Sequence, residues 1–187
     1  MAVSLGLGLS AACGFRVFVP LLAMGIGARA GLVDLGESWS WMSETWVIAV
    51  FAVATILEIA GYYIPWVDNL LDSVTTPAAI VAGVIVSSAS LGQIEGIDPV
   101  LQWMLAVIAG GGVSGTVQLG TAVTRAASTA VTGGVGNPAV STVEAGASTS
   151  FAVLAVLVPI LAGILVVALL FFVSRRLYVR RKARAGG

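Results

Sequence analysis

The stretch FAVLAVLVPILAGILVVALLFFV, residues 151–173, decides the fold class. It contains no charged residue, and it is longer than the roughly 20 residues that a helix needs to cross a bilayer. Basic residues follow it at once, beginning with Arg175 and Arg176. Such residues are typical of the cytoplasmic side of a membrane. The sequence therefore predicts a multi-pass membrane protein with a cytoplasmic C-terminus.

The composition of the whole chain agrees with this prediction. Of the 187 residues, 58% are hydrophobic and only 10% are charged, whereas about 25% are charged in soluble domains. The chain has no histidine, which removes the commonest general base and zinc ligand. Cys13 is the one cysteine, so no intrachain disulfide forms. We predict no cofactor and no enzymatic activity.

Six apolar or weakly apolar segments suggest an all-α polytopic transmembrane bundle with about six crossings and kinked or broken helices. The segments are 3–27, 46–64, 76–91, 100–113, a part of 120–150, and 151–173. Six crossings place the acidic loops 31–44 and 92–99 outside the cell, where few basic residues are expected. Five crossings with an external N-terminus is the alternative. Region 120–150 is read either as a spanning helix or as a linker.

Several segments carry features that predict their local structure. Arg16 and Pro20 interrupt the first segment and predict a broken helix or a re-entrant pair. Pro77 is placed near the start of the third helix. The glycine run 110–112 predicts close helix packing rather than a phosphate loop. A weak inverted repeat pairs the arginine, glutamate and proline features of the two halves.

The chain is divided into a transmembrane domain, residues 1–174, and a basic cytoplasmic tail, residues 175–187. Six of the nine basic residues lie in this tail. We expect them to contact anionic lipid head groups, and we expect no binding of nucleic acid.

Ionisable side chains at membrane depth are costly unless they are paired or hydrated. The sequence places six there or close by: Arg16, Glu58, Asp68, Asp72, Arg125 and Glu144. They are read either as ion pairs that hold the bundle together or as a polar pathway. With Tyr62, they are the candidate residues for binding an ion or substrate.

Glu58 gives the sharpest of these signals. Tyr62 follows it by one helical turn on the same face, so its phenol is expected to donate to the carboxylate. As a functional group, Glu58 would bind a proton or a cation. As a structural group, it would pair with Arg16 or Arg125.

Asp68 and Asp72 are four residues apart and share one face of a helix. Two carboxylates at this spacing are weak candidates for binding a divalent metal. The alternative is helix capping with solvation at the interface. Further along, Asn137-Pro138 reads as a turn, and Ser141 and Glu144 after it fit a capping box, with Ser141 at the N-cap.

One run of residues identifies a family resemblance. Residues 58–72 read Glu-Ile-Ala-Gly-Tyr-Tyr-Ile-Pro-Trp-Val-Asp-Asn-Leu-Leu-Asp, and Thr76-Pro77-Ala78 follow. This run resembles an uncharacterised bacterial membrane family, domain of unknown function 4126, and the resemblance implies that the chain lies in a bacterial inner membrane. Residues 10–16 with Pro20, and residues 137–144, are similar to its other motifs. The resemblance implies an acidic residue near Tyr62, which this chain lacks, and it implies no activity.

Three function classes remain open. The first is a transporter or channel with a buried charged site for a cation, a proton or a small solute. The second is a non-catalytic accessory or assembly subunit of a larger membrane complex. The third is a metal-dependent enzyme acting on a lipid phosphate through Asp68 and Asp72. Small size and glycine-rich helix faces predict a homo-oligomer, with a homodimer as the simplest form.

Overall fold

The computed structural model describes the backbone of residues 1–185 and the side chains of residues 1–179, except those at positions 65, 66, 69 and 177. Helices are the only regular secondary structure in this part of the chain. A 3₁₀ helix, Glu37–Ser43, precedes α3, and a π-helical turn, Ala106–Gly111, joins α5 to α6. The α-helices are α1 (Ala2–Cys13), α2 (Phe18–Arg29), α3 (Thr45–Gly61), α4 (Pro65–Leu91), α5 (Pro99–Leu105), α6 (Gly112–Thr132), α7 (Asn137–Leu157) and α8 (Pro159–Ala185).

Four stretches of this helical chain are long and apolar enough to cross a membrane. They are Leu70–Leu91, Pro99–Thr132, Asn137–Leu157 and Pro159–Arg176. The 3₁₀ helix and α3 make a fifth if the two, bent by 65°, are counted as one span. The prediction of a helical membrane bundle is therefore confirmed. The prediction of six crossings is not, because the first apolar segment does not form a spanning helix.

That first segment folds as an antiparallel pair, α1 and α2, which we call the N-terminal hairpin. The start of α1 and the end of α2 both lie near the junction of α7 and α8, where Ser4 packs against Gly163 and Gly27 packs against Val156. The turn between them, residues 14–17, lies far along α7, where Arg16 bonds to Ser141. The segment is thus broken at the turn into two short apolar helices, as Arg16 and Pro20 predict.

Glycine allows the hairpin turn to approach α6. A Cβ atom built on Gly14 would lie 2.5 Å from Cβ of Val117 and 2.6 Å from the carbonyl oxygen of Ser114. Real Cβ contacts are not this short, so no larger residue fits without movement of α6. The backbone of the hairpin turn at Gly14 therefore packs directly against α6.

Prolines set two helix boundaries differently from the prediction. Pro77 lies inside α4, which begins at Pro65, so the predicted start near Pro77 is wrong. The apolar stretch 151–173 is not one helix, because α7 ends at Leu157 and α8 begins at Pro159. Proline has no N–H to continue the helical hydrogen bonds and fits the first helical position well. Region 120–150 is not a linker: it contains the end of α6 and most of α7, and both helices belong to candidate spans, Pro99–Thr132 and Asn137–Leu157.

Close packing at the glycine run is confirmed at its first position. A Cβ atom on Gly110 would lie 2.5 Å from Cβ of Ser87 in α4, whereas one on Gly112 would meet nothing within 4 Å. Ser10 adds a hydrogen bond of 2.9 Å from α1 to the carbonyl oxygen of Gly83. Helices α1, α4 and the π-helical turn therefore pack through small residues.

The two predictions about domains and repeats stay predictions. Helix α8 continues through Arg175 and Arg176, both of which are exposed. The side chains of Arg180, Arg181, Lys182 and Arg184 lie outside the described residues.

Candidate functional site

Five parts of the chain bring polar and charged side chains together near the end of the bundle where α4 and α7 begin. The end of α3 supplies Glu58 and Tyr62, and the hairpin turn supplies Arg16. The start of α4 supplies Asp68 and Asp72, the second half of α6 supplies Arg125, and the start of α7 supplies Asn137, Ser141 and Glu144. All except Asp72 are buried.

Arg125 lies at the centre of this group. Its Nε donates to both carboxylate oxygens of Glu144 at 3.1 Å, and its Nη2 also contacts Glu144 Oε2. Its Nη1 lies 2.5 Å from Asp68 Oδ1 and 3.4 Å from Asp72 Oδ1. One guanidinium group therefore joins α4, α6 and α7, and each of its nitrogens faces a carboxylate.

Arg16 binds the same glutamate from the hairpin turn. Its Nη1 lies 3.3 Å from Glu144 Oε2. Its Nη2 donates to the hydroxyl of Ser141 at 2.6 Å and to the carbonyl oxygen of Ser141 at 3.0 Å. We call Arg16, Arg125, Asp68, Asp72 and Glu144 the ion network.

Tyr62 contacts both cations through its ring. The central guanidinium carbons of Arg16 and Arg125 each lie 4.0 Å from the ring centroid, within the range of cation–π attraction. The Tyr62 hydroxyl lies 2.9 Å from the hydroxyl of Thr75, where either oxygen can donate. The predicted hydrogen bond from Tyr62 to Glu58 is therefore replaced by one to Thr75, because the ring lies against the arginines.

Glu58 binds backbone rather than an arginine. Its Oε1 accepts from the N–H of Val17 at 2.8 Å, and its Oε2 accepts from the N–H of Phe18 at 3.0 Å. These groups lie at the start of α2, where N–H groups lack acceptors within the helix. The predicted ion pair of Glu58 with Arg16 or Arg125 is wrong, because the Glu58 carboxylate caps the start of α2 instead.

Asp68 and Asp72 share a face of α4, as their spacing predicts, and both contact Arg125. Among the described residues, no group of three or more acidic or cysteine side chains is arranged to hold a metal ion. The alternative of solvation at the interface is wrong for Asp68, whose exposed fraction is 2%. It fits Asp72 better, because 31% of that side chain is exposed.

The predicted capping box at Ser141 is wrong, because α7 already begins at Asn137. Ser141 and Glu144 are buried within the helix and face the arginines. Asn137, which the sequence suggested only as part of a turn, donates from Nδ2 to Asp68 Oδ2 at 2.9 Å. The signal for it was the spacing of polar residues 137, 141, 144 and 148, which places them on one helical face.

The site carries more negative than positive groups. Two guanidinium groups face four carboxylates, and the start of α2 supplies only a partial positive charge to Glu58. A groove of about 600 Å³ between α6, α7 and α8 reaches Glu144, and Val173 lines its other side. The buried network therefore borders a groove at Glu144, which is itself buried, and has a partly exposed carboxylate at Asp72.

Comparison with known proteins gives one match. The model of the family described as Domain of unknown function (DUF4126) matches residues 3–178. The search of curated proteins gives no match. The search of solved structures gives none either.

Proposed function

This chain belongs to the family described as Domain of unknown function (DUF4126), a description that names no activity. From the site itself we propose that the protein is a small membrane transporter or channel for a proton, a cation or another small solute. The ion network carries this proposal. Buried charges in a membrane protein are costly, and by default they suggest a functional site. We propose no catalytic step.

The broken N-terminal segment supports the proposal. In many transporters, half-helices meet near the middle of the membrane and direct their ends at a charged group. Here the N–H groups at the start of α2 donate to the Glu58 carboxylate, and Arg16, in the turn just before α2, belongs to the ion network. The excess of carboxylates favours a positively charged species at the network itself.

The location is proposed together with the function. Val173 lines the groove that reaches Glu144, and Arg175 follows it closely, so the basic end of α8 lies at the same end of the bundle as the network. We place this end at the cytoplasmic face of a bacterial inner membrane by the excess of basic residues. The basic tail would contact anionic lipids there.

Glu144→Gln is the direct test of the proposed function. Glutamine keeps the shape of the side chain and one oxygen acceptor, but it removes the charge shared by Arg16 and Arg125. We expect proton flux into liposomes, measured with an internal pH dye under an imposed potential, to fall at least about tenfold, equivalent to about 1.4 kcal/mol.

The matched control is Glu37→Gln, at an exposed position in the 3₁₀ helix. It changes the net charge of the protein equally and is expected to keep wild-type flux. If Glu144→Gln protein elutes as wild type from a sizing column and conducts at the wild-type rate, the network is a structural brace and the proposal fails.

An accessory subunit of a larger membrane complex is the second candidate. Three glycines favour it, because Gly112, Gly120 and Gly146 meet nothing within 4 Å and leave small-residue faces open for another helix. We expect the native mass in mild detergent to be that of a homodimer, which supports the transporter. A heavier particle with other subunits would favour the accessory role.

A further inference from the structure

The groove between α6, α7 and α8 has the volume of a small-molecule site. It encloses about 600 Å³, and sites for small ligands measure roughly 300–1,000 Å³. Its walls are mostly apolar and include Phe15, Val117, Val140 and Leu169. Val143 on its rim is exposed, so in a membrane the groove opens toward lipid. The groove therefore suits a ligand with an apolar body.

The polar side chains of the groove act as hydrogen-bond acceptors. Among the described residues that line it, Glu144 is the one charged residue, and the others with polar side chains are Thr116, Thr121 and Thr124. Each of these three hydroxyls donates to a carbonyl oxygen of its own helix, at 2.7, 2.8 and 2.9 Å respectively. A hydroxyl that donates its hydrogen still accepts through its lone pairs. The described lining contains no amide, guanidinium or ammonium side chain, so it offers no donor to an anion.

Glu144 belongs to the ion network as well as to the groove, and it can accept one more hydrogen bond. Its Oε2 contacts both arginines, whereas its Oε1 accepts only from Nε of Arg125 among the described residues. A carboxylate oxygen accepts about two hydrogen bonds. Because this carboxylate is buried, a charged donor that reaches it is little screened by water.

The charge around Glu144 favours a cation. Within the ion network, two arginines face three carboxylates. Neither Arg16 nor Arg125 lines the groove. A cation that enters the groove therefore meets the carboxylate of Glu144 before it meets a guanidinium group.

We propose that the groove is a binding site for a primary or secondary amine with an apolar body, in its protonated form. The ammonium group donates to Glu144 Oε1 and to the hydroxyl of Thr121, which lies one helical turn before Arg125. An ammonium group has donors and no acceptor, which matches a groove with acceptors and no donor. This inference deepens the proposed function by naming the class of solute, and it rests on that function for the claim that the amine is carried.

The first test compares three ligands that differ only in the head group: hexylamine, hexanol and hexanoate. Equilibrium dialysis of the purified protein against protein-free micelles measures binding and subtracts partition into detergent. We expect the amine to bind at least about tenfold more tightly than the alcohol, since one hydrogen bond to a charged group has this effect or more. Hexanoate should not bind measurably. Equal binding of all three would reveal a crevice for lipid chains without head-group recognition, and it would overturn the proposal.

Gly120→Leu fills the groove with little disturbance of the fold. Gly120 lines the groove, and a Cβ atom built on it meets nothing within 4 Å. Leucine also favours a helix over glycine. We expect this variant to elute as wild type from a sizing column and to bind hexylamine at least about tenfold more weakly.

Gly112→Leu is the matched control for the filled groove. It adds the same side chain at another open position of α6, one that does not line the groove, and it should bind hexylamine as wild type does. If Gly120→Leu also binds the amine as wild type does, the amine binds elsewhere and the proposal is wrong.

Glu144→Gln tests recognition of the head group separately from the fit of the apolar body. Glutamine keeps the shape of the side chain and removes its charge, so hexylamine should bind only as tightly as hexanol, whose affinity should not change. A preference for the amine that survives in this variant would exclude Glu144 as its partner and contradict the proposal. Should the variant fail to fold, the two glycine variants still decide the question.

These binding measurements require no transport, so their outcome is separate from that of the proton assay. Loss of flux in Glu144→Gln, without a preference of wild type for hexylamine, would keep the transporter and overturn the amine site. A preference for hexylamine that Gly120→Leu abolishes, with unchanged flux in Glu144→Gln, would support the site and remove the transporter.

Discussion

Arg125→Met is expected to lower the free energy of unfolding by about 3–5 kcal/mol, the cost of breaking a buried ion pair from one side. The change leaves Asp68 and Glu144 buried with their principal cation removed. Methionine fills a similar volume, so the loss reports charge rather than packing. Thermal unfolding in mild detergent, followed by tryptophan fluorescence, measures it.

Two comparisons make this prediction specific. Arg29→Met removes an exposed arginine that bonds to Thr45 at the end of the hairpin, and it should cost well under 1 kcal/mol. Adding Asp68→Asn to Arg125→Met should recover part of the stability, because the stranded charge of Asp68 disappears while Glu144 keeps its ion pair with Arg16. An Arg125→Met protein as stable as Arg29→Met would show that water already screens the network.

Gly110→Ala is expected to destabilise the fold by about 1–3 kcal/mol, the usual cost of adding a group to a packed interior. The new methyl group would meet the carbonyl oxygen of Gly83 and would lie 2.5 Å from Cβ of Ser87, so α4 has to move away from the π-helical turn. The temperature of unfolding and the yield of monodisperse protein measure the effect.

Gly112→Ala is the matched control two residues along the chain. Nothing lies within 4 Å of its added methyl group, and alanine favours a helix by up to about 1 kcal/mol over glycine. It should leave the protein unchanged or slightly more stable. If both variants lose stability equally, the effect belongs to the local helix rather than to contact with α4.

Hydropathy was sufficient to predict the class of fold, because lipid tolerates only backbones whose hydrogen bonds are satisfied internally. It was not sufficient to count the spans. Helices α1 and α2 together are as apolar as a spanning segment, yet the chain turns back at Gly14 because Arg16 and the start of α2 find partners on α7 and α3. Such partners are distant in sequence, so no local pattern contains them.

The members of the ion network could be predicted, but their pairing could not. Charges at membrane depth are conspicuous, and all five network residues were identified from that feature alone. Which carboxylate meets which arginine depends on how α3, α4, α6 and α7 pack. Glu58 shows this best, because its place at Val17 and Phe18 depends on a helix start that exists only once the first segment is broken.

Asn137 and Ser141 show a different limit. Asn137-Pro138 reads as a turn, and Ser141 followed by Glu144 is a common capping pattern, so local preference pointed to a helix start at Ser141, whereas α7 begins at Asn137. Ser141 lies within the helix instead, where it is 1% exposed and its hydroxyl accepts from Arg16. Local rules fail here at residues that belong to the candidate site.

The N-terminal hairpin has a consequence for biosynthesis. A ribosome makes α1 and α2 before α7, so the partners that satisfy them are made much later. Ser141 and Ser148, which bind Arg16 and the carbonyl oxygen of Ala12, lie 125 and 136 residues downstream. Until α7 enters the membrane, Arg16 lacks the carboxylate and the hydroxyl that it binds there, and insertion of the hairpin would bury a cation without its ion-pair partner. We therefore expect the hairpin to reach its final position only after α7 has entered the membrane.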